Sequence, residues 1–226
     1  MENIKFDRYK SVYEKQLKKL ISETWGYNKV GDEKAAMALA GLFLSGSLAG
    51  SDFCAVAVMG EKPVGIVAGR TTDRPNLYFA LKHLWYKQFL YLSGNRQMYS
   101  VMRRVAQLDD ELAGTAVKDR AELSVFAVDE QCREMGVGSA LFEKFLDYAQ
   151  EKSPDFYLFT DTSCNYPFYL KRGMEMVARK REPISIRGIL LDIEYYLFVG
   201  NAVKIKNICG KRKNAPDKTR SEVGQN

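Results

Sequence analysis

The stretch from Ala121 to Ala149 restricts the fold more than any other part of the chain. It opens on Ala-Glu-Leu-Ser-Val-Phe-Ala-Val, an apolar, partly β-branched run that predicts a strand over 121–128. Asp-Glu-Gln-Cys-Arg-Glu-Met-Gly-Val-Gly-Ser follows. Then Leu141, Phe142, Phe145, Leu146 and Ala149 recur at helical spacing and predict a helix over 138–151. Strand, glycine-bearing loop and helix in that order leave the first-turn amides of the helix without partners, which suits them to an anion. Gly136 and Gly138 let a phosphate approach the backbone closely, and Arg133 adds positive charge. Two common nucleotide loops are excluded by position. A dinucleotide fingerprint needs glycine where Leu141 stands, and a P-loop needs lysine directly before Ser139, where Gly138 stands. The plainer account of the loop is a tight strand-to-helix turn that uses glycine for its geometry.

Around this unit the periodicity alternates. Residues 7–25 read as a helix capped by Asp7, and residues 32–44 as a second capped by Asp32. Phe53–Met59, a Gly60–Pro63 turn and Val64–Thr71 read as a β-hairpin. Leu77–Leu92 is apolar on nearly every side, which predicts a heavily buried helix. Asn95 then caps a helix whose stripe is Met98, Val101, Met102, Val105, Leu108 and Leu112. Phe156–Asp161 reads as a strand, Tyr166–Lys171 as a short helix ending at Gly173, and Met174–Lys180 and Ile189–Val199 as closing strands.

Charge and cysteines narrow the function classes. Of the net +6, the segment 201–226 carries +5, with seven Lys or Arg against Asp217 and Glu222, so the body is near neutral. Nucleic-acid binding is therefore not expected of residues 1–200, which read as one domain, and the basic extension 201–226 reads as flexible in part. The four cysteines lie far apart with no CxxC, which argues against a disulfide framework or zinc module and suits a reducing cytoplasm. No apolar run of ~18 residues predicts a membrane span, and the N-terminus has no signal-peptide pattern. No spacing of His, Cys or carboxylates predicts a metal site.

Arg133-x-x-Gly136-x-Gly138 between a strand and a helix resembles the acyl-CoA pyrophosphate loop of the GNAT family of N-acetyltransferases. A second segment resembles that family's strand, short helix and Tyr-x-x-x-Gly-Phe pattern. It runs from Asp161 through Asn165, Phe168 and Tyr169 to Gly173, with Met174 in place of the usual Phe. The likeness is weak over Phe53–Thr71 and good over Ala121–Val199. It implies an α/β fold: a central mixed, mostly antiparallel sheet flanked by helices. Residues 73–118 depart from the plain pattern as a helical insertion between the third and fourth strands.

The resemblance further implies an acyltransferase that moves acetyl from acetyl-CoA, its co-substrate, to a primary amine by direct attack, with no metal. The alternative is a catalytically silent CoA-binding sensor. Arg133, Glu134, Met135, Gly136, Val137, Gly138 and Ser139 would form the diphosphate cradle. Phe126 and Val128 would pair through their backbone with the pantetheine arm. Asn165 and Phe168 would flank the cofactor, although Asn165 also fits an N-cap. Tyr169 would protonate the leaving thiolate, or is a core tyrosine. Glu122 is a carboxylate on a strand otherwise rich in apolar groups, and strict alternation would place it on one face with Ser124, Phe126 and Val128. It would serve as the general base, or as half of a salt bridge at the sheet surface.

The aromatic insertion would roof the pocket of a small-molecule or peptide amine, or form a homodimer face. Asp109, Asp110 and Glu111 would draw a cationic amine, or form a solvated helix end. His83 reads as a core or interface histidine, and Cys164 as a small buried residue.

Overall fold

The computed structural model describes residues 4–71, 75–186 and 188–213. Residues 214–226, half of the basic extension, lie outside the described residues, as do residues 73 and 74 at the start of the insertion. Seven strands form one sheet in the order β1-β2-β3-β4-β5-β7-β6. They are β1 (Ile4–Asp7), β2 (Phe53–Met59), β3 (Lys62–Arg70), β4 (Ala121–Val128), β5 (Asp155–Asp161), β6 (Glu175–Ile186) and β7 (Ile189–Asn201). Neighbours are antiparallel except β4 and β5, which run parallel. This is the mixed, mostly antiparallel sheet expected.

The helices are α1 (Glu14–Thr24), α2 (Tyr27–Val30), α3 (Glu33–Gly50), α4 (Leu77–Leu92), α5 (Arg96–Ala113), α6 (Val137–Lys152), α7 (Pro167–Leu170) and α8 (Ala202–Lys213). On one face of the sheet α6 and α8 pack against Val64, Val67, Leu123, Phe156 and Phe198. On the other, α1 and α3 cover Val56, Ile66, Val125 and Ala127. A third cluster joins α3, α4 and α5 to Ile184, Ile186 and Tyr195 of the β6–β7 hairpin. Asp32 caps α3 as expected, its carboxylate accepting from the Ala35 amide at 2.8 Å.

The N-terminus differs from its sequence reading. Asp7 ends a short edge strand and caps no helix; it accepts instead from the Arg8 amide and, at 2.8 Å, from the Tyr13 hydroxyl. Four residues of Ile-Lys-Phe-Asp are too few for alternation to show. In the first half of the basic extension, residues 202–213 form a helix that buries Ala202 and Ile205 in the core.

The insertion falls between β3 and β4, as expected, but α4 is not buried all round. Only Tyr86 and Leu90 are buried, while Leu77, Trp85 and Leu92 are 72%, 59% and 77% exposed. Its inner side lies close against α3 because Gly41 leaves room for the Tyr86 ring. A Cβ added at Gly41 would stand 2.3 Å from that ring. Gly46 does the same for His83, whose Nδ1 lies 3.0 Å from the Leu42 carbonyl oxygen. Glu14 of α1 ties the helix down, accepting from Tyr86 Oη at 3.1 Å and pairing with Lys82. Hydrophobicity on every side of α4 therefore leaves one face against α3 and one against solvent. None of its side chains lines the cleft described below.

Candidate active site

Two irregularities in β4 create the site. Its parallel pairing with β5 lasts only for Ala121–Phe156 and Glu122–Tyr157, after which the strands part. On its other edge, Ala68 pairs with Val125 but Gly69 pairs with Leu123, so Ser124 is the extra residue of a β-bulge. The bulge reverses which face each side chain takes. Leu123 lies with the α6 cluster and Val125 with the α1–α3 cluster, although strict alternation would put them together. Phe126 and Val128 thus pack toward α6, whereas Glu122 and its partner Arg70 lie on the opposite side. The expected common face of Glu122, Ser124, Phe126 and Val128 is corrected accordingly, because an unpaired residue shifts a period-2 pattern by one.

A cleft of about 540 Å³ occupies the opening between β4 and β5. Its wall includes Glu122, Phe126, Val128, Arg133, Gly138, Ser139, Asn165, Phe168 and Tyr169 of the residues singled out from sequence. Gly136 adopts φ +79, the left-handed conformation that glycine takes without penalty, and caps α6. Gly138 and Ser139, in the first turn of α6, line the cleft. Gly138 sits where a Cβ would touch Val128, Phe126 and Phe168 at 3.6–3.9 Å. Val137 does not line the cleft; its side chain is buried in the α6 core. Glu134 and Met135 are exposed outside it, so any part they take in the cradle is through the backbone.

Arg172 was not singled out by sequence. It lies one helical turn after Phe168, stacks its guanidinium 3.4 Å from that ring's centroid, and donates to Ser139 Oγ at 2.7 Å. With Arg133 it gives this end of the cleft two guanidinium groups. Asn165 makes no capping bond; α7 begins after Tyr166 with no side-chain cap. Tyr169 is 7% exposed, packed among Phe126, Phe142 and Phe198, and burial raises its hydroxyl pKa. Cys164 is also in the wall, and burial pushes its thiol up to about 12, which suits an inert thiol.

The far end of the cleft is acidic. Glu122 Oε2 accepts from Arg70 Nε at 2.7 Å and from the Tyr157 hydroxyl at 2.9 Å. Asp161 of β5 is raised by burial, with the Ser163 amide, at 2.7 Å, opposing the shift. Asp109 of α5 shares the wall, and burial, reinforced by Glu122, Asp110 and Asp161, pushes its carboxyl up to about 8. Sequence offered a signal for it: Asp109 falls four residues after Val105 and three before Leu112, within the apolar stripe of its helix. Arg104 fixes α5, donating to both oxygens of Glu182 on β6 at 2.6 and 2.8 Å.

The model of the Acetyltransferase (GNAT) family matches residues 16–174. No curated protein matches the chain. Among solved structures, a Pyrococcus horikoshii OT3 protein superposes with TM-score 0.56 at 16% identity, covering 88% of this chain and 98% of its own. A Streptococcus mutans UA159 protein superposes with TM-score 0.53 at 16% identity, covering 88% and 99%. An aminoglycoside 6'-N-acetyltransferase complexed with coenzyme A gives TM-score 0.50 at 14% identity, covering 88% and 97%. These likenesses concern the fold. With the family model spanning both the phosphate-type loop and the Tyr169 segment, the chain belongs to the GNAT acetyltransferase family.

Proposed function

We propose that this protein transfers an acetyl group from acetyl-CoA to a primary amine by direct attack. The observation that carries this reading is the continuity of the cleft. One opening between β4 and β5 runs from two arginines and a helix N-terminus, past a buried tyrosine, to carboxylates. The residues fit the cofactor's chemistry. The amides of the first turn of α6, with Arg133 and Arg172, would hold the diphosphate. The backbone of Phe126 and Val128, on the edge that β5 has left, would take the pantetheine arm as an added strand. Bound acetyl-CoA supplies an activated acyl carbon and a thiol leaving group.

The protein's part is position and protons. Tyr169 keeps its hydroxyl proton, because burial disfavours the phenolate, and can give it to a departing sulfur. Glu122, held in place by Arg70 and Tyr157, takes the proton of the amine. Asn165 and Phe168, which line the cleft, would flank the arm. The insertion does not close the acceptor side: α5 forms part of its wall through Val105 and Asp109 and leaves the cleft continuous. That favours an enzyme over a silent CoA sensor. A cytoplasmic location fits four free cysteines.

The test follows thiol release from acetyl-CoA with a panel of primary amines. Turnover is expected, with Tyr169→Phe lowering kcat about 10–100-fold at an unchanged melting temperature. Acetyl-CoA is expected to raise that temperature where NAD and ATP do not. No turnover on any amine, together with no thermal response to acetyl-CoA, would refute the reading.

A further inference from the structure

We infer that the outer face of α4 docks this protein on an anionic lipid surface, with the helix lying in the interface plane and its other side still held by α3. This goes beyond the acetyltransferase reading and does not depend on it.

The apolar face is built by position. Leu77, Leu81, Leu84, Trp85 and Leu92 share one side of α4, because the last four follow the first by four, seven, eight and fifteen residues. Each is more than half exposed. Tyr78 and Tyr91 border them and are also exposed, and Gln88 is the polar member of the stripe. With 16 residues the face is about 24 Å long. It presents on the order of 700 Å² of mostly apolar surface, above the few hundred usual for a soluble monomer. The opposite side is already occupied, since Tyr86 and Leu90 are buried in the cluster that joins α3 to α5.

Charge names the occupant. From 74 to 108 the chain has six Lys or Arg and no Asp or Glu. Lys82 and Lys87 fall on the two flanks of the apolar face. Just past its C-terminal end the Arg96 guanidinium stacks 4.4 Å from the Tyr91 ring centroid. Lys82 pairs with Glu14, which also lies 3.9 Å from Lys18. Among the described residues neither Lys87 nor Arg96 forms an ion pair. A second copy packed face to face would set this basic rim against its own image. An anionic bilayer instead meets the apolar centre and the cations together.

Two further features fit a lipid surface. Trp85, Tyr78 and Tyr91 each join an apolar ring to a polar edge, and such side chains settle at headgroup level. A helix of 16 residues, packed along one side, lies on a bilayer rather than across it. None of these side chains lines the cleft, so docking and CoA binding are separable.

The experiment is co-sedimentation of the full chain with two kinds of vesicle, one of phosphatidylcholine alone and one of about three parts phosphatidylcholine to one part phosphatidylserine. Binding to the mixed vesicles is expected to be at least about tenfold tighter than to the neutral ones, and to weaken as salt rises. Leu81→Gln combined with Leu84→Gln should weaken binding to the mixed vesicles about tenfold, with melting temperature and CoA affinity unchanged because both side chains are exposed. Lys87→Gln combined with Arg96→Gln should remove most of the preference for the mixed vesicles, a second reading that does not rely on the first pair of substitutions. No binding to the mixed vesicles, equal binding to both kinds, or binding indifferent to either pair overturns the proposal. Binding that survives the leucine substitutions would belong to the basic extension. A dimer in sedimentation velocity that those substitutions dissolve, without vesicle binding, would give the face to a second copy. Either result overturns the lipid assignment.

Discussion

Asp109→Asn is expected to stabilise the folded protein, against the usual direction of a substitution in a packed site. The carboxyl rises from 3.8 to about 8 on folding, because burial and neighbouring carboxylates disfavour its charge. The folded state therefore holds this proton more tightly than the unfolded state. Below pH 3.8 both states carry it, and the group is neutral to stability. As pH rises toward 8, the unfolded chain releases the proton first, so stability is lost across that window and the penalty is complete above it. At about 1.4 kcal/mol per pK unit, about four units set a ceiling of about 6 kcal/mol. The cleft admits water, so we expect relief of about 1–2 kcal/mol at pH 9, or about 2–8 °C in melting temperature for a chain of this size. Thermal melts of both proteins from pH 5 to 9 check it. The gap should widen with pH. A gap that stays constant, or an Asn variant that melts lower at pH 9, would refute the electrostatic account of Asp109.

The glycines separate cradle from packing. Gly138→Ala adds a methyl at ordinary contact distance from Val128, Phe126 and Phe168, so it should keep the melting temperature within about 2 °C while weakening CoA about tenfold in calorimetry. Gly136→Ala meets no atom but forces alanine into φ +79, which should destabilise by about 1–2 kcal/mol in denaturant titration. Gly41→Ala drives a Cβ into the Tyr86 ring and should cost about 1–3 kcal/mol by the same measurement, with CoA affinity unchanged.

The glycine loop and the Tyr169 segment were legible because they depend on short-range geometry. A left-handed Gly136 and the first amides of α6 are local consequences of the residues that occupy those positions. Glu122 was legible as a carboxylate on an apolar strand, but its attachment to Arg70 was not, since those residues meet only through the β3–β4 register. The bulge at Ser124 was hidden because alternation in β4 looks unbroken along the chain; only pairing with β3 reveals the extra residue. The exposure of α4 was misjudged because its composition counts apolar groups without saying how many helices will cover them.

Local sequence alone determined the succession of strands and helices from β2 to β7, the left-handed turn at Gly136 and the presence of a carboxylate, Glu122, on an apolar strand, because backbone preference and periodicity act over a few residues. Tertiary structure decided which charges meet. Asp109 and Asp161 lie about fifty residues apart in sequence, and the opening of β4 from β5, with α5 clamped to β6 by Arg104, puts them in one cleft. Burial then alters their charge, an effect that a sequence encodes only through its fold.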